Sequence, residues 1–202
     1  MGADGSGFTG TELVVYLNPG PNQSSPPLAF MRKEAESLMR TAGYAIEWRD
    51  AKSSRAAENA SNLIFVDLAG PCAAPMSPVA GAPVPDDNQP SLASTAVEDG
   101  VVLPFSRIDC AALTRTLSAM FAREAPARRT FLYGRAMGRL LAHEFYHVLA
   151  QTRDHAAAGI GKPCFTALDL VTDRFEFESV ALSRLRHADS GRGISPVDVA
   201  GR

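Results

Sequence analysis

Two histidines and a glutamate fall within residues 143–147, where the sequence reads HEFYH. On a helix, residues four apart project from one face at adjacent turns, so the imidazoles of His143 and His147 can reach one metal ion. Zn–N bonds of about 2.0–2.1 Å suit such a pair. Glu144 lies one position round the helix, close enough to act as a general base on a water at the ion without replacing a ligand. The spacing therefore predicts a metal site with a base beside it; the alternative is an ordinary amphipathic helix whose histidines share this spacing by chance.

The third ligand decides what kind of site this is, and His155 is the leading candidate. On a straight helix, His155 would lie roughly 12 Å beyond His147, at about 1.5 Å per residue, and the two could not share an ion. We therefore expect the chain to leave the helix near residues 150–151 and to fold back through a turn at 152–154. Three carboxylates remain alternative ligands: Asp154, Glu176 and Glu178.

The cysteines, Cys72, Cys110 and Cys164, form no CxxC pair, and none lies within ligand spacing of the two histidines. A structural zinc site usually has four protein ligands with Cys among them, whereas three protein ligands leave a position open for water. An open, catalytic type of zinc site is therefore favoured. The cysteine count fits either one disulfide with a free thiol or three buried thiols.

Composition places the chain among ordinary globular proteins. It has 202 residues, 46% of them hydrophobic and 21% charged, with a formal net charge of −2. These values support one domain with a sizeable core. They give no reason to expect nucleic acid or an anionic membrane as a partner, and no apolar run approaches the roughly 18 residues of a membrane span. Four arginines are expected on the solvated side of a helix rather than in a phosphate site: Arg128, Arg129, Arg135 and Arg139.

We expect one domain over residues 11–187, between a flexible leader at 1–10 and a flexible tail at 188–202. The leader lacks the basic start and apolar middle of a signal peptide, which leaves the cellular location open and is compatible with an export signal that is already removed. Residues 69–100 are dense in Pro, Ala, Ser and Gly and show no periodicity. They predict a long loop that is either functional or a tolerated surface excursion.

The elements around the motif follow from periodicity. Runs rich in β-branched and apolar residues predict strands at 11–17, 44–48, 62–68 and 101–106. The run at 62–68 is expected to be buried on both faces, and Pro104 places 101–106 at a sheet edge. Helix-periodic stretches are predicted at 28–43, 110–125, 130–151 and 178–187, with a short helical turn from Thr166. Asp109 and Thr130 are the expected N-caps of the second and third helices.

The third of these helices carries the motif. Its apolar stripe should face the core and hold the histidine pair toward a cleft: Met137, Leu140, Leu141, Phe145, Val148 and Leu149. The β-α-β start of the chain favours a sheet covered by helices.

HEFYH resembles the zinc-binding signature of the zincin metallopeptidases, and the later His155 is similar to the third histidine of metzincins. The metzincin pattern has Gly where this chain has Ala150 and places its third histidine two residues before His155, and no Met follows Met137 to form a Met-turn. The chain thus resembles a divergent zincin, and also a group of bacterial proteins with an HExxH helix, a later His and a Gly-Lys-Pro-like segment, from which no substrate carries over. The resemblance implies an α/β (α+β) fold in which a small mixed sheet packs on helices, one of them a long HExxH helix.

The implied function is that of a zinc-dependent hydrolase, in the first place a metallopeptidase. His143, His147 and His155 would bind Zn²⁺, and Glu144 would be the general base toward the zinc-bound water. The expected partner is a peptide or protein substrate, with the oligomeric state open. An extended substrate could pair with the edge strand expected at 101–106. A second oxyanion donor is also expected, from Tyr146, Tyr133 or His187.

Two other functions fit the same residues. The chain could be a zincin-like protein that binds metal without turnover, which a loop permanently blocking the cleft would favour. It could also be an enzyme precursor whose loop at 69–100 occupies the cleft until it is cut. Glu144 argues against a binding role alone, because a metal scaffold has no need of a base there.

Overall fold

The computed structural model describes residues 10–20, 25–52, 62–75 and 91–190. The elements follow in this order: β1 (Thr11–Asn18), α1 (Ser25–Thr41), β2 (Tyr44–Asp50), β3 (Leu63–Ala69), β4 (Ala93–Glu98), β5 (Val101–Asp109), α2 (Cys110–Phe121), α3 (Pro126–Ala150), α4 (Ala167–Val171) and α5 (Ser179–Ser190). Most of the predicted leader at 1–10 and of the predicted tail at 188–202 lies outside the described residues. No helix in the described part of the chain combines the length and the apolar character that a bilayer crossing requires.

The five strands form one mixed sheet in the order β2-β1-β3-β5-β4. Strands β1, β2, β3 and β5 are parallel, and β4 runs antiparallel to β5 at the end of the sheet. The sheet packs against helices, the longest of which is α3. This arrangement confirms the α/β class and the mixed sheet expected from the sequence.

Strand β3 shows how the core is built. Its residues alternate between buried and half-buried, with Ile64, Val66 and Leu68 buried in the core that the sheet shares with the helices. On the other face Phe65 lies in a ladder of stacked rings, 5.2 Å from Tyr16 and 5.4 Å from Phe105 between centroids. The expectation that β3 is buried on both faces was therefore wrong, because its second face is only half covered.

Strand β4 was missed in the sequence, where residues 69–100 read as loop. Its sequence, ASTAVE, is short and small, and only its first residue is buried. Because β4 takes the end position, β5 lies between β3 and β4 and is not the edge strand. Pro104 is tolerated inside the sheet because the β4–β5 register shifts opposite it, between Thr95 and Val97, and pairing with β3 begins only at Phe105.

Helices α2 and α3 differ in how they begin. The Asp109 side chain accepts a hydrogen bond from the Ala112 amide at 2.8 Å, which confirms the predicted cap of α2. Helix α3 starts four residues before the predicted cap Thr130: its N-cap is Ala125, and Pro126 occupies the first turn, where its missing N–H costs nothing. The predicted apolar stripe of α3 is buried throughout.

The four arginines of α3 were expected on its solvated side, and for two of them this expectation was wrong. Arg139 is one of the largest fully buried side chains; it pairs with Glu34 of α1 at 2.9 Å and donates to the carbonyls of Asp169 and Thr172. Arg135 also reaches Glu34 and donates to the Thr172 carbonyl. A buried guanidinium needs such partners because an unpaired charge in the core is costly. The two side chains tie α3 to α1 and to α4.

Cys72 and Cys110 form a disulfide that joins the segment after β3 to the first residue of α2. Cys164 is a free, exposed thiol. Of the two cysteine arrangements that the sequence allowed, the structure therefore has one disulfide and one free thiol.

Candidate metal centre

The last two turns of α3 carry the motif into the interior. His143, Glu144 and His147 are all buried, although each has a polar side chain. The helix ends at Gln151, which adopts a left-handed conformation with φ 48°. The Thr152 amide then donates to the His147 carbonyl, so the chain turns back at the position that the sequence predicted.

The reversal brings His155 onto the histidine pair. One ring nitrogen from each of His143, His147 and His155 lies within 4.8 Å of the others. The His155 ring lies 5.3 Å from that of His143 and 4.8 Å from that of His147, between centroids. His155 is exposed while the other two are buried, so the group opens to solvent on the His155 side.

Backbone carbonyls orient both helical histidines. The Nδ1 atom of His143 lies 2.7 Å from the Ile160 carbonyl oxygen, and that of His147 lies 2.8 Å from the Thr152 carbonyl oxygen. A carbonyl only accepts, so each Nδ1 is the protonated donor, which leaves each Nε2 with a lone pair in the neutral ring. This is the arrangement by which proteins aim a histidine at a metal.

The two Nε2 atoms face each other at 3.0 Å. Two lone pairs at that separation repel unless a cation lies between them. Burial lowers the pKa of His143 to about 4 and also lowers that of His147, which disfavours a proton in that position. A tetrahedral ion with Zn–N bonds of about 2.0–2.1 Å would separate its ligand atoms by about 3.3–3.4 Å. The donor set therefore fits a metal ion of this kind.

Glu144 lies beside the pair in a low-polarity environment. Burial raises the pKa of its carboxyl group from 4.5 to about 7, partly offset by a hydrogen bond from Thr95. The Thr95 hydroxyl of β4 donates to Glu144 Oε2 at 2.6 Å and lies 3.2 Å from the hydroxyl of Ser106 on β5. One carboxyl oxygen is thus held by the sheet, and a group with a pKa near 7 can both take up and release a proton.

A cavity of about 370 Å³ contains the three histidines and Glu144. Small and apolar side chains from β4, from β5 and from the segment after α3 form much of its wall, and Arg153 supplies a cation. The lining residues other than the histidines and the glutamate are Ser91, Ala93, Ser94, Thr95, Val97, Val102, Thr152, Arg153 and Pro163.

The side chains of Asp154 and Glu178, two of the alternative ligands, make other contacts, whereas the contact of Glu176 is through its main chain. The Asp154 side chain is exposed and lies 4.0 Å from Arg184. Glu178 accepts a hydrogen bond from the Ala157 amide at 3.2 Å, and the Glu176 carbonyl accepts one from the Ile160 amide at 3.0 Å. The group of potential ligand atoms found among the described residues contains the three histidines and none of these carboxylates.

None of the three suggested oxyanion donors lines this cavity. The Tyr146 hydroxyl accepts a hydrogen bond from Arg184 at 2.8 Å, and the Tyr133 hydroxyl donates to the Cys110 carbonyl at 3.0 Å. His187 donates to the Ser183 carbonyl of its own helix. Each of these groups is engaged elsewhere.

Sequence reasoning missed the groups that support the histidines and the glutamate. Thr95 lies in a segment without periodicity, 49 residues before Glu144. The carbonyls of Thr152 and Ile160 carry no residue-type signal at all, because every residue has one. For β4 the sequence offered only a weak signal, the two β-branched residues Thr95 and Val97.

The chain matches no protein-family model and no curated protein sequence. A group of three histidines that could hold a metal ion lies beside a buried glutamate, on and around a long helix.

Proposed function

We propose that this protein is a zinc-dependent hydrolase of the zincin type that acts on peptide bonds. The observation that carries the proposal is the convergence of His143, His147 and His155 in one cavity with the buried carboxyl group of Glu144. Zinc suits three imidazole ligands with a position left open.

His143, His147 and His155 would hold the ion. Bound there, zinc would supply Lewis-acid activation of a water and of the substrate carbonyl. The Ile160 and Thr152 carbonyls keep the Nε2 lone pairs of His143 and His147 pointing into the cavity. His155, being exposed, can adjust its ring by rotation of the side chain.

Glu144 would be the general base. Its Oε2 is occupied by the Thr95 hydroxyl, which leaves Oε1 to accept the proton of a water during attack on the carbonyl and to return it to the leaving amine. Thr95 limits the rotation of the carboxyl group. A protein that only stored metal would gain nothing from burying a carboxyl group beside the ligands, because burial of a charge is unfavourable.

The substrate would lie along β4. This strand is at the end of the sheet, and Ala93, Thr95 and Val97 line the cavity. Edge strands bind extended peptides through main-chain hydrogen bonds, with alternate side chains entering pockets. The role that the sequence suggested for residues 101–106 therefore passes to 93–98. Val97, Val102 and Pro163 favour a small apolar side chain next to the cleaved bond.

The first experiment is metal analysis of protein purified without added metal, by mass spectrometry. We expect about one zinc per chain in the wild type, and loss of zinc in His147→Ala and in His155→Ala. His187→Ala is the matched control, since this exposed histidine lies outside the cavity and should leave the zinc content unchanged. Absence of zinc before and after titration of the wild type would overturn the proposal.

Peptide cleavage is then measured on a peptide library. Glu144→Gln should keep its zinc and lose cleavage by at least about 100-fold, the contribution typical of a general base. Zinc binding without cleavage by the wild type of any peptide would indicate a metal-binding protein without turnover. Equal cleavage by wild type and Glu144→Gln would remove Glu144 from the mechanism.

A further inference from the structure

The turn at Gly159–Gly161 holds the carbonyl that orients His143. Ile160 is fully buried, and its carbonyl oxygen lies 2.7 Å from His143 Nδ1. Its amide donates to the Glu176 carbonyl at 3.0 Å, and Gly159 forms an isolated antiparallel bridge with Phe177. Ile160 is thus held from both sides, by the bridge to the 176–178 segment and by the imidazole.

Gly159 fits this turn for two reasons. Its φ of +63° is a left-handed conformation that side chains disfavour. A Cβ atom built there would also stand far inside contact distance of the Glu176 carbonyl oxygen and 3.2 Å from the Glu178 amide nitrogen. Both neighbours are backbone atoms, which cannot rotate away. A side chain at position 159 must therefore push the turn and the 176–178 segment apart.

Two further contacts fix the segment between His155 and the turn. The Ala156 amide donates to the Gly161 carbonyl at 2.7 Å, which closes the turn on itself. The Ala157 amide donates to Glu178 Oε1 at 3.2 Å. Ala157 lies two residues after His155, and Glu178 directly precedes α5. This hydrogen bond therefore joins the segment after His155 to the start of α5.

We infer that Gly159 and Glu178 are positioning residues of the metal centre. They dock the 155–161 segment on the 176–178 segment, so that the Ile160 carbonyl fixes the ring orientation and tautomer of His143 while His155 is held over the pair. The inference rests on the proposed metal binding by the three histidines. Its consequence is that metal affinity depends on residues that touch neither the metal nor the cavity wall.

The first test is the zinc dissociation constant of Gly159→Ala, measured by competition with a chromogenic chelator. Loss of an orienting partner costs typically 10–100-fold in metal affinity, so we expect a loss of at least about tenfold. Gly43→Ala is the matched control: Gly43 also has a positive φ, +99°, but a Cβ there meets nothing within 4 Å, and the residue lies between α1 and β2. Its zinc affinity should stay within about twofold of the wild type.

A second pair of variants decides the matter if Gly159→Ala does not fold. Glu178→Ala removes the acceptor of the Ala157 amide, and we expect it to weaken zinc binding several-fold. Glu178→Gln keeps an acceptor oxygen at the same place and should recover most of the affinity. If Gly159→Ala does not fold, equal zinc affinity of wild type and Glu178→Ala overturns the inference while leaving the proposed metal site intact.

A spectroscopic measurement separates this inference from the proposed function. In metal-free protein the Nδ1 proton of His143, hydrogen-bonded and buried, should give a slowly exchanging imidazole N–H resonance in ¹⁵N-resolved spectra. His143→Gln assigns that resonance, and Gly159→Ala should shift it or lose it through exchange with water. An unchanged resonance would overturn the inference whether or not the wild type binds zinc; failure of the wild type to bind zinc would overturn the proposed function.

Discussion

At the scale of single residues, Glu144 is a carboxyl group whose surroundings disfavour its charge. Burial raises its pKa from 4.5 to about 7. Between these two pH values the folded metal-free protein binds a proton at this site that the unfolded chain has released. Stability from this group is therefore present below pH 4.5 and is lost as the pH rises through 7.

We predict that Glu144→Gln stabilises the metal-free protein at pH 8 and leaves its stability nearly unchanged at pH 4. A shift of this size corresponds to roughly 3 kcal/mol of unfolding free energy. Urea unfolding with a chelator present, at both pH values, measures the difference. Glu98→Gln, at an exposed glutamate of β4, is the control for the substitution itself. A Glu144→Gln variant less stable than the wild type at pH 8 would contradict the prediction.

The Thr95 hydroxyl should set the pH at which Glu144 works. Its hydrogen bond to Oε2 favours the carboxylate and so lowers the pKa of Glu144 against the effect of burial. We predict that Thr95→Val raises the pKa of Glu144 further, so that the acid limb of the pH profile of kcat/KM moves to higher pH.

Thr95→Ser tests whether the hydroxyl group is responsible. Serine keeps the hydroxyl donor, so the pH profile of kcat/KM of Thr95→Ser should follow that of the wild type. Its kcat should be reduced much less than that of Thr95→Val. Superimposable pH profiles of kcat/KM for Thr95→Val and wild type, at equal zinc content, would show that Thr95 does not act on the carboxyl group of Glu144.

At the scale of elements, the crossing of α1 and α3 places the site. Gly138, like Gly134, lies where α3 approaches α1 closely: a Cβ atom at Gly138 would stand 2.6 Å from Glu34 Cβ and 2.7 Å from the Met31 carbonyl oxygen. At an open helix position, alanine would stabilise by roughly 1 kcal/mol over glycine.

We predict that Gly138→Ala instead destabilises the protein by about 2 kcal/mol, because overpacking forces the helices apart. The sign of the change, read from urea midpoints at constant m-value, distinguishes a close crossing from an open helix position. Since His143 lies five residues further along α3, the same variant should also weaken zinc binding. A more stable variant would mean that the helices do not approach this closely.

Local pattern accounts for the elements that were predicted. Strand β1 buries a contiguous run of apolar residues, β3 buries every second residue, and the apolar stripe of α3 recurs with the helical period; these patterns are visible in the sequence. Strand β4 was missed because ASTAVE buries one side chain, so its strand conformation comes from pairing with β5 rather than from its own residues. The edge assignment of β5 failed for the same reason, since it depended on knowing that β4 exists.

The same distinction applies to the site: some of its residues form a local sequence pattern, and others are brought together only by the fold. The pair His143 and His147 with Glu144 is a local pattern on one helix, and the return of His155 was expected because a straight helix would carry it too far from His147 to share an ion. The partners that orient these side chains come from distant segments or from the backbone. Thr95 and the Ile160 carbonyl could be placed only by a tertiary fold, and residue type gives no sign of the carbonyl.

At the scale of the whole molecule, the site joins parts of the chain that the sheet alone would not hold together. Helix α3 supplies two histidines, the segment after it supplies the third, and β4 supplies Thr95. The disulfide Cys72–Cys110 spans 38 residues, and β4 and β5 lie inside that span. The covalent link therefore limits how far the segment with β4 and β5 can extend away from the end of β3 and the start of α2 in partly unfolded states.

We predict that reduction of this disulfide destabilises the protein by roughly 3–4 kcal/mol, the chain-entropy value for a loop of this length. Urea unfolding with and without a reductant measures the change. Thiol titration should find one reactive thiol in native protein, the exposed Cys164, and none after Cys164→Ser. Because β4 holds Thr95 against Glu144, reduction should also lower hydrolytic activity at urea concentrations where the oxidised protein is still fully active. Three titratable thiols in denatured, non-reduced protein would show that the disulfide does not form. The predicted effect of reduction on stability and on hydrolytic activity would then be wrong as well.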